Sequence, residues 1–386
     1  MIDFSLSPEM ALLTATVRRF VETELWPLEA GVEETGRLDP AIARALTAKS
    51  RALGLYAMNM PRELGGGGLT AVEMCLVEEE IGRTSDILIR RAFGNVYEVL
   101  LACTGSQRER YLLPAVRGER VWSIAMTEPE AGSDAAGIQT TAVRDARGFI
   151  LNGTKHFISD GDYADCFVVT AVTDRSGSSP GITLFLVDKA MRGFEMGRIQ
   201  PMMGLRGTGH VEFALRDCRV GHDQILGELD GGLPLILRTI SRIRLAHIGA
   251  RAVGMASRLL ELCRDHANTR RQFGRPIGEF QMVQQMLADM ATEVHAARLL
   301  ALNAAWDLDQ GRESREKVSM VKLYGSEMLG RVADRAVQIF GGMGYCKDLI
   351  VERVYRDCRV LRIFDGTSEI HRRTIARGLL ENGPPR

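Results

Sequence analysis

A stretch of short β-rich segments between residues 121 and 220 separates two helical parts of the chain, and this order constrains the fold more than any other feature. Runs such as VWSIAM, DCFVVTAV and ITLFLV alternate with turn signals such as RDARG and DRSGSSPG, which is typical of a small sandwich or barrel. From Val283 to Ala297 apolar residues recur with the i, i+3, i+4 spacing of a bundle helix. Helices, then strands, then helices are not the alternating pattern of a doubly wound sheet.

The pattern therefore predicts an α+β protein with three domains. We expect an N-terminal helical domain over 1–120, a middle β-barrel or β-sandwich domain over 121–227, and a C-terminal helical bundle over 228–386. A length of 386 residues agrees with two or three domains, because single domains commonly hold about 100–200 residues.

Composition narrows the class of protein further. Lys plus Arg and Asp plus Glu number 49 each, so the chain lacks the basic field that nucleic acids or anionic membranes require. No run approaches the roughly 20 apolar residues of a membrane span, and MIDFSLSPEM has no signal-peptide pattern. The seven cysteines are scattered without CxxC, and the seven histidines form no HExxH. We therefore expect no metal, no nucleic acid, no membrane and a cytoplasmic location.

Two motifs in the β-rich part are suited to contact a flat or anionic ligand. MTEPEAGSD, residues 126–134, follows a strand and offers backbone N–H groups with the hydroxyls of Thr127 and Ser133. NGTKHFIS, residues 152–159, begins with a hairpin signal and places Phe157 and Ser159 on one face of a strand. Taken alone, these residues are more often an ordinary polar turn and a packed strand phenylalanine.

Two further motifs lie in the helical C-terminal part. RRQFGRPIGEFQ, residues 270–281, joins two helices and carries arginines that could hold a phosphate; a basic helix C-terminus is the alternative. AVQIFGGMGY, residues 336–345, allows a backbone to approach a ligand closely or simply ends a helix. No GxGxxG follows a strand, so a Rossmann site is unsupported.

The order of these motifs resembles the acyl-CoA dehydrogenases over nearly the whole chain. MTEPEAGSD, NGTKHFIS, RRQFG, FQMVQQMLADM, QIFGGMGY and YRDCRV followed by IFDGTSEI occur collinearly. The resemblance implies a helical domain, a β-domain and a four-helix bundle, with FAD bound between the β-domain and the bundle. It implies removal of an α-proton by a base and transfer of the β-hydride of an acyl-CoA thioester to flavin N5.

By motif match, the resemblance assigns residues to FAD and to the substrate. The FAD-binding positions are Met126, Thr127, Ser133, Phe157, Ile158, Ser159, Arg270, Phe273, Gln281, Gln338, Ile339, Gly341, Gly342, Thr367 and Glu369. The substrate-binding positions are Ser133, Tyr97, Phe364 and Gly366. Because Arg270, Phe273 and Gln281 match residues that act across a subunit boundary, the resemblance implies a homo-oligomer, by family habit a dimer of dimers. It also implies an electron-transfer flavoprotein as the electron acceptor.

The resemblance assigns the catalytic base to Asp365, in the sequence LRIFDGTSEI. Most relatives of this kind carry Glu there, and others place a Glu on the first bundle helix, but residues 231–260 contain no carboxylate. Asp is shorter by one C–C bond, about 1.5 Å. A differently placed α-carbon, as in an alicyclic or branched acyl group, would suit a shorter base. A helix N-cap before TSEIHRR is the structural alternative for Asp365.

The acyl pocket is expected to lie against a helix over 90–105, where Phe93 and Tyr97 would shorten it and favour short or compact acyl groups. Three other functions remain open at this point. The chain could be an oxygen-using flavin oxidase or monooxygenase of the same superfamily, a dehydrogenase of acyl groups on a carrier protein, or a flavin-binding scaffold without catalysis.

Overall fold

A computed structural model of the chain describes residues 5–382 apart from residues 95, 178, 313 and 314. The N-terminal part is helical, and its packing side chains form a core of their own that includes Val17, Leu25 and Leu88. The helices are α1 Pro8–Phe20, α2 Glu29–Thr35, α3 Pro40–Ala52, α4 Ala71–Ile81, α5 Asp86–Phe93 and α6 Leu113–Val116.

Helix starts in this part follow from local capping chemistry. The hydroxyl of Ser7 accepts a hydrogen bond from the amide of Met10 before α1, and Asp39 accepts from the amides of Ala41 and Ile42 before α3. Thr70 forms a capping box with Glu73 before α4.

The predicted helix over 90–105 is not continuous. Helix α5 ends at Phe93, Gly94 follows with φ +76°, and a 3-10 turn occupies Glu98–Ala102. A left-handed φ is costly for residues with a Cβ and interrupts a right-handed helix. The break turns Tyr97 away from the line of α5.

The middle part is a mixed sheet. Its strands are β1 Trp122–Ala125, β2 Thr141–Asp145, β3 Gly148–Ser159, β4 Cys166–Asp174, β5 Gly181–Asp188, β6 Phe194–Ile199, β7 His210–Val220 and β8 Ile225–Leu226. Their order is β6-β7-β3-β2-β4-β5-β8, with β1 parallel to β4. The strands β6, β7, β3 and β2 form one half of the sheet, and β4, β5 and β8 form the other. The two halves join at a single backbone pair, Thr141 of β2 with Val172 of β4. Apolar side chains of both halves meet in one core, as in a sandwich.

The C-terminal part is a bundle of long helices. Helices α7 Gly232–Arg242 and α8 Arg251–Thr269 are joined by a π-helical segment, Ile243–Ala250. The hairpin strands β9 Arg271–Gln272 and β10 Arg275–Pro276 lead to α9 Gln281–Asp309, α10 Arg315–Phe340, α11 Ile350–Asp357 and α12 Ser368–Asn382. Helix α10 contacts α8, α9 and α12, so it is the central helix of the bundle. The predicted order of helices, sheet and helical bundle is confirmed.

Buried ion pairs join the three parts. Glu29 of α2 accepts from Arg258 of α8 at 2.8 Å, and Arg91 of α5 donates to Asp160, directly after β3, at 2.7 Å. A buried charge that loses its partner is strongly destabilising, so these pairs hold the helical parts at fixed positions against the sheet.

Within the described residues, no helix is long and apolar enough to cross a membrane.

Candidate active site

A cavity of about 660 Å³ lies where the N-terminal helices, the sheet and the bundle meet. Its wall contains the start of the 126–134 loop, the end of β3, the π-helical segment, and the turn between Arg362 and α12. The cavity therefore brings together motifs that are far apart in the sequence.

The loop after β1 is fixed by a buried glutamate that the sequence analysis did not single out. The carboxylate of Glu128 accepts from the amide of Gln139 at 2.6 Å, from the amide of Thr140 at 3.1 Å and from Nζ of Lys155 at 2.7 Å. Burial opposes ionisation of Glu128, but Lys155 and the N–H donors hold its pKa below the ordinary value. The hydroxyls of Thr127 and Ser133 on this loop line the cavity.

The end of β3 turns an aromatic ring into the cavity. The pairing of β3 with β7 shifts register between Lys155 and Ile158, and Phe157 has φ +57°. A bulge of this kind re-aims a side chain, and the ring of Phe157 is 50% exposed although it lies in the sheet. An exposed flat ring beside the hydroxyls of Thr127 and Ser159 fits the face and edge of a planar cofactor such as flavin.

Asp365 lies in a left-handed turn on the cavity wall, with φ +52°, and Gly366 follows with φ +93°. The backbone carbonyl of Asp365 accepts from Nε of Arg244 at 2.7 Å and contacts Nε2 of His371 at 3.3 Å. Nζ of Lys322 donates to the carbonyl of Gly366. Three side chains from three helices therefore hold the backbone of this turn, and Asp365 lines the cavity.

Burial raises the pKa of Asp365, while the charges of Arg244, Lys322 and Arg90 oppose this rise. Burial lowers the pKa of Lys322 to about 8. Burial, together with Arg244 and Lys322, lowers the pKa of His371 to about 3, so its imidazole is neutral near pH 7. A carboxylate with a raised pKa is a stronger base than an ordinary Asp.

The cap of α12 is Thr367 and not Asp365. The hydroxyl of Thr367 accepts from the amide of Ile370 at 3.3 Å, which is the N-cap geometry. The capping interpretation of Asp365 is therefore wrong.

Replacement of Gly366 by alanine is expected to distort the turn. A Cβ there would lie 3.0 Å from Nε2 of His371 and 3.2 Å from Nη2 of Arg244, on a backbone with φ +93°. We expect a loss of about 1–3 kcal/mol in unfolding free energy, with slower flavin reduction, measured by thermal melting and stopped-flow absorbance. The matched control is Gly31→Ala in α2, where an added Cβ would meet no atom within 4 Å apart from its own helix backbone, and alanine should stabilise slightly. An unchanged melting temperature for Gly366→Ala would contradict the proposed clash.

Most of the sequence-predicted residues fall into two groups in the structure. The residues that line the cavity are Tyr97, Met126, Thr127, Ser133, Phe157, Ile158, Ser159, Phe364, Asp365, Gly366 and Thr367. Glu369 is exposed in the first turn of α12. Phe93 does not line the cavity, since it packs in the N-terminal core with its ring 5.5 Å from that of Phe20. The predicted shortening of the pocket by Phe93 is therefore wrong.

The second group lies at one end of the bundle, away from the cavity wall. It comprises Arg270, Phe273, Gln281, Gln338, Ile339, Gly341 and Gly342. The rings of His266 and Phe340 stack with centroids 4.2 Å apart and bring the ends of α8 and α10 together. Phe273, at the tip of the β9–β10 hairpin, is 92% exposed.

Sequence reasoning missed several charged groups at the cavity. Arg244 and Lys322 hold the Asp365 turn, and Arg90 and Arg251 line the cavity. The sequence shows these residues only as charged positions within apolar helical stretches. The same pattern is found at ordinary surface positions of amphipathic helices, so it does not indicate a site.

Models of the acyl-CoA dehydrogenase N-terminal, middle and C-terminal domains match residues 7–119, 123–218 and 230–380. A 3-(aryl)acrylate reductase of Clostridium sporogenes is 36% identical over 96% of this chain and 98% of its own length. A cyclohexane-1-carbonyl-CoA dehydrogenase of Geobacter metallireducens is 36% identical over 98% of this chain and 99% of its own length. The solved butyryl-CoA dehydrogenase of Megasphaera elsdenii superposes with a TM-score of 0.90, at 30% identity, over 98% of this chain and 100% of its own.

These matches cover the helical, sheet and bundle parts alike, and the cavity offers the exposed ring and hydroxyls that a flavin requires. FAD is the cofactor of this class of enzyme. The chain therefore belongs to the acyl-CoA dehydrogenase family, and it is a FAD-dependent oxidoreductase that acts on CH–CH bonds.

Proposed function

We propose that this enzyme dehydrogenates an acyl-CoA thioester at its α and β carbons, with Asp365 as the base that removes the α-proton. The observation that carries this proposal is the position of Asp365 on the cavity wall, in a turn whose backbone is held by Arg244 and Lys322. A base must be rigidly placed because small displacements cost large factors in rate. The π-helical segment beside this turn offers Arg244, and residues 231–260 contain no carboxylate.

FAD supplies the acceptor for the β-hydride in this chemistry. We propose that Phe157 covers one face of its ring and that Thr127 and Ser159 contact its edge, supported by their places on one cavity wall. Ser133 and Met126 extend the same wall. The backbone N–H of Gly366 and of Asp365 would face the thioester carbonyl, where hydrogen bonds stabilise a developing enolate.

The acyl group is proposed to be compact: alicyclic, branched or short. Support comes from the short side chain of Asp365 and from Tyr97 on the cavity wall. The test is anaerobic titration of the FAD-loaded enzyme with a panel of acyl-CoAs that includes cyclohexanoyl, isobutyryl, butyryl and octanoyl thioesters, followed by loss of flavin absorbance. Fastest reduction by octanoyl-CoA would contradict a compact pocket, and no reduction by any thioester would contradict the dehydrogenase function.

The electron acceptor is proposed to be an electron-transfer flavoprotein. A curated relative from Acetobacterium woodii is named as a subunit of a caffeyl-CoA reductase-Etf complex, which supports this choice. If air reoxidises the reduced flavin rapidly, an oxidase or monooxygenase function is favoured instead. Turnover of acyl groups on a carrier protein but not on CoA would favour the carrier-bound alternative.

The second residue group is proposed to bind the FAD of a neighbouring subunit in a homo-oligomer. Phe273 is 92% exposed, and its ring lies edge-on to that of Phe280 with centroids 6.0 Å apart. We expect Phe273→Ala to weaken FAD binding about tenfold, since a lost aromatic contact costs about 0.5–1.5 kcal/mol. The measurement is the FAD-to-protein ratio after gel filtration, together with sedimentation velocity.

The control for this prediction is Leu12→Ala on α1, which removes another exposed apolar side chain, 70% exposed. It should leave both the FAD content and the oligomer unchanged. A Phe273 variant that retained wild-type FAD content would contradict the shared site.

We also propose that the domain boundaries lie near 120 and 227, supported by the separate cores of the N-terminal and bundle helices.

The proposed location of the enzyme is a reducing, cytoplasmic compartment, supported by its seven free cysteines.

A further inference from the structure

One part of the cavity wall carries ionisable groups where a pocket for an alkyl chain would be apolar. These residues come from α5, the segment after it, and the junction of the π-helical segment with α8. We call them the polar wall: Asp86, Arg90, Tyr97, His247 and Arg251. Leu237, Ile240 and Ile248 line the cavity beside them, so an acyl chain would meet both kinds of surface.

Arg90 is the donor at the centre of the polar wall. Its Nε donates to Asp86 at 2.6 Å, and Asp86 also accepts from the hydroxyl of Thr208 at 2.9 Å. Burial opposes ionisation of Asp86, yet Arg90 lowers the pKa of Asp86 to about 2, so both groups are charged. Within the described part of the chain, Nη1 of Arg90 is buried and has no acceptor. Asp86 therefore holds one edge of the guanidinium, the hydroxyl of Tyr97 also lies within hydrogen-bonding reach of Arg90, and Nη1 is a further donor without an acceptor among the described residues.

The other charges of the polar wall are already balanced. Nη2 of Arg251 donates to Glu78 at 3.1 Å, and Nε2 of His247 lies 3.3 Å from the same carboxylate. Burial and the charge of Arg251 lower the pKa of His247 to about 4, so His247 is neutral near pH 7. Each arginine has its own carboxylate, and the polar wall has no surplus positive charge for a buried anion.

Arg90 and Asp365 line the same cavity. The charge of Arg90 lowers the pKa of Asp365 against the effect of burial. A group bound by Arg90 would therefore lie in the same cavity as the carbon that loses its proton.

We propose that Arg90 determines substrate specificity by donating a hydrogen bond to a neutral oxygen, a hydroxyl or a ketone, on the acyl chain of the substrate. This inference rests on the proposed dehydrogenation of an acyl-CoA. A buried donor left without an acceptor disfavours a plain methylene at that position, and the balanced charges disfavour a carboxylate. The substrate class is then a short oxygenated acyl thioester.

The first experiment measures specificity in the FAD-loaded wild-type enzyme. Pentanoyl-CoA is compared with 4-oxopentanoyl-CoA and 5-hydroxypentanoyl-CoA, and glutaryl-CoA provides the carboxylate arm. We expect kcat/KM for at least one neutral oxygenated chain to exceed that for pentanoyl-CoA by roughly 10- to 100-fold, as for one hydrogen bond to a charged group. Equilibrium Kd values come from the flavin spectrum in an Asp365→Asn background, where proton removal is blocked.

The second experiment removes the donor. In Asp86→Leu/Arg90→Leu the ion pair is replaced as a unit, so no charge is left alone, and the preference for oxygenated chains should fall to about one in both kcat/KM and Kd. Arg90→Lys keeps a charge and a donor and should retain part of the preference. The control, Arg83→Leu/Glu261→Leu, removes another arginine–carboxylate pair, with a buried Arg83 and a half-exposed Glu261, that does not line the cavity; it should lower stability but not change the preference.

The outcomes separate this inference from the proposed function. If pentanoyl-CoA bleaches the flavin and the oxygenated chains do no better, the inference is wrong while the dehydrogenase function stands. A preference that survives in the double variant also overturns it, and tighter binding of glutaryl-CoA than of the neutral chains overturns the choice of a neutral oxygen. If no thioester bleaches the flavin but the Kd values still favour the oxygenated chains only when Arg90 is present, only the proposed function fails.

Discussion

Replacement of Asp365 by asparagine is expected to slow flavin reduction by a good thioester substrate by about 10²- to 10⁴-fold, the usual contribution of a general base. Asparagine keeps the shape of the side chain and tolerates a left-handed backbone, here φ +52°. The contacts of Arg244 and His371 are made to the backbone carbonyl, so the turn should persist. The loss would then reflect the missing base and not a displaced loop.

The pH dependence of the rate of flavin reduction tests the role of Asp365 independently. Asp365 must be ionised to accept a proton, and burial raises its pKa. When the pH is lowered, the rate of flavin reduction should therefore begin to fall at a higher pH than it would with an ordinary Asp as the base. Asp365→Asn should lose this acidic limb together with the activity. Wild-type rates of flavin reduction in Asp365→Asn, with normal FAD content and melting temperature as controls, would remove Asp365 from the mechanism.

Asp365→Glu tests the length of the base. One more methylene moves the carboxylate by about 1.5 Å, which can change rates roughly 100-fold. The expected result is faster reduction by straight-chain thioesters relative to compact ones. An identical substrate profile in both enzymes would show that the shorter side chain has no role in specificity.

The fold order was predictable because helical and strand periodicities are local properties of the chain. The motif residues from Met126 to Thr367 that were assigned together line one cavity, and their individual roles stay predictions. The break of the helix at Gly94 was not predicted, because the sequence does not reveal a left-handed φ in an otherwise helical pattern.

The polar wall could not be predicted for a different reason. Arg90 and Arg251 belong to helices far apart in the sequence, and each looks like a surface residue of an amphipathic helix until the helices pack together. The same holds for Lys322, which reaches the carbonyl of Gly366 from the middle of α10. Side chains that act through long-range packing leave no local pattern, so the charge near the base is a property of the tertiary structure.

Replacement of Lys155 by methionine is expected to destabilise the enzyme by about 3–5 kcal/mol, the usual cost of breaking a buried ion pair from one side. The Lys155 side chain is fully buried, and its Nζ donates to Glu128 at 2.7 Å and to Thr170 at 3.0 Å. Burial lowers the pKa of Lys155 to about 8 against the opposing charge of Glu128. Without the cation, the Glu128 carboxylate would remain buried with only amide and hydroxyl neighbours.

This change should also weaken FAD binding, because Glu128 holds the 126–134 loop through the amides of Gln139 and Thr140. Lys155→Met/Glu128→Gln removes the unpaired charge but keeps an oxygen for these amides, so it should recover most of the stability and the FAD content. Lys49→Met is the matched control, since Lys49 pairs with Glu24 at the surface and an exposed pair contributes at most about 1 kcal/mol. Denaturant unfolding and FAD titration measure both effects. If Lys155→Met destabilised the enzyme no more than Lys49→Met, the buried ion pair would not be what holds the loop. If the double variant recovered stability but did not bind FAD, the negative charge of Glu128 would be needed for the cofactor in addition to its hydrogen bonds.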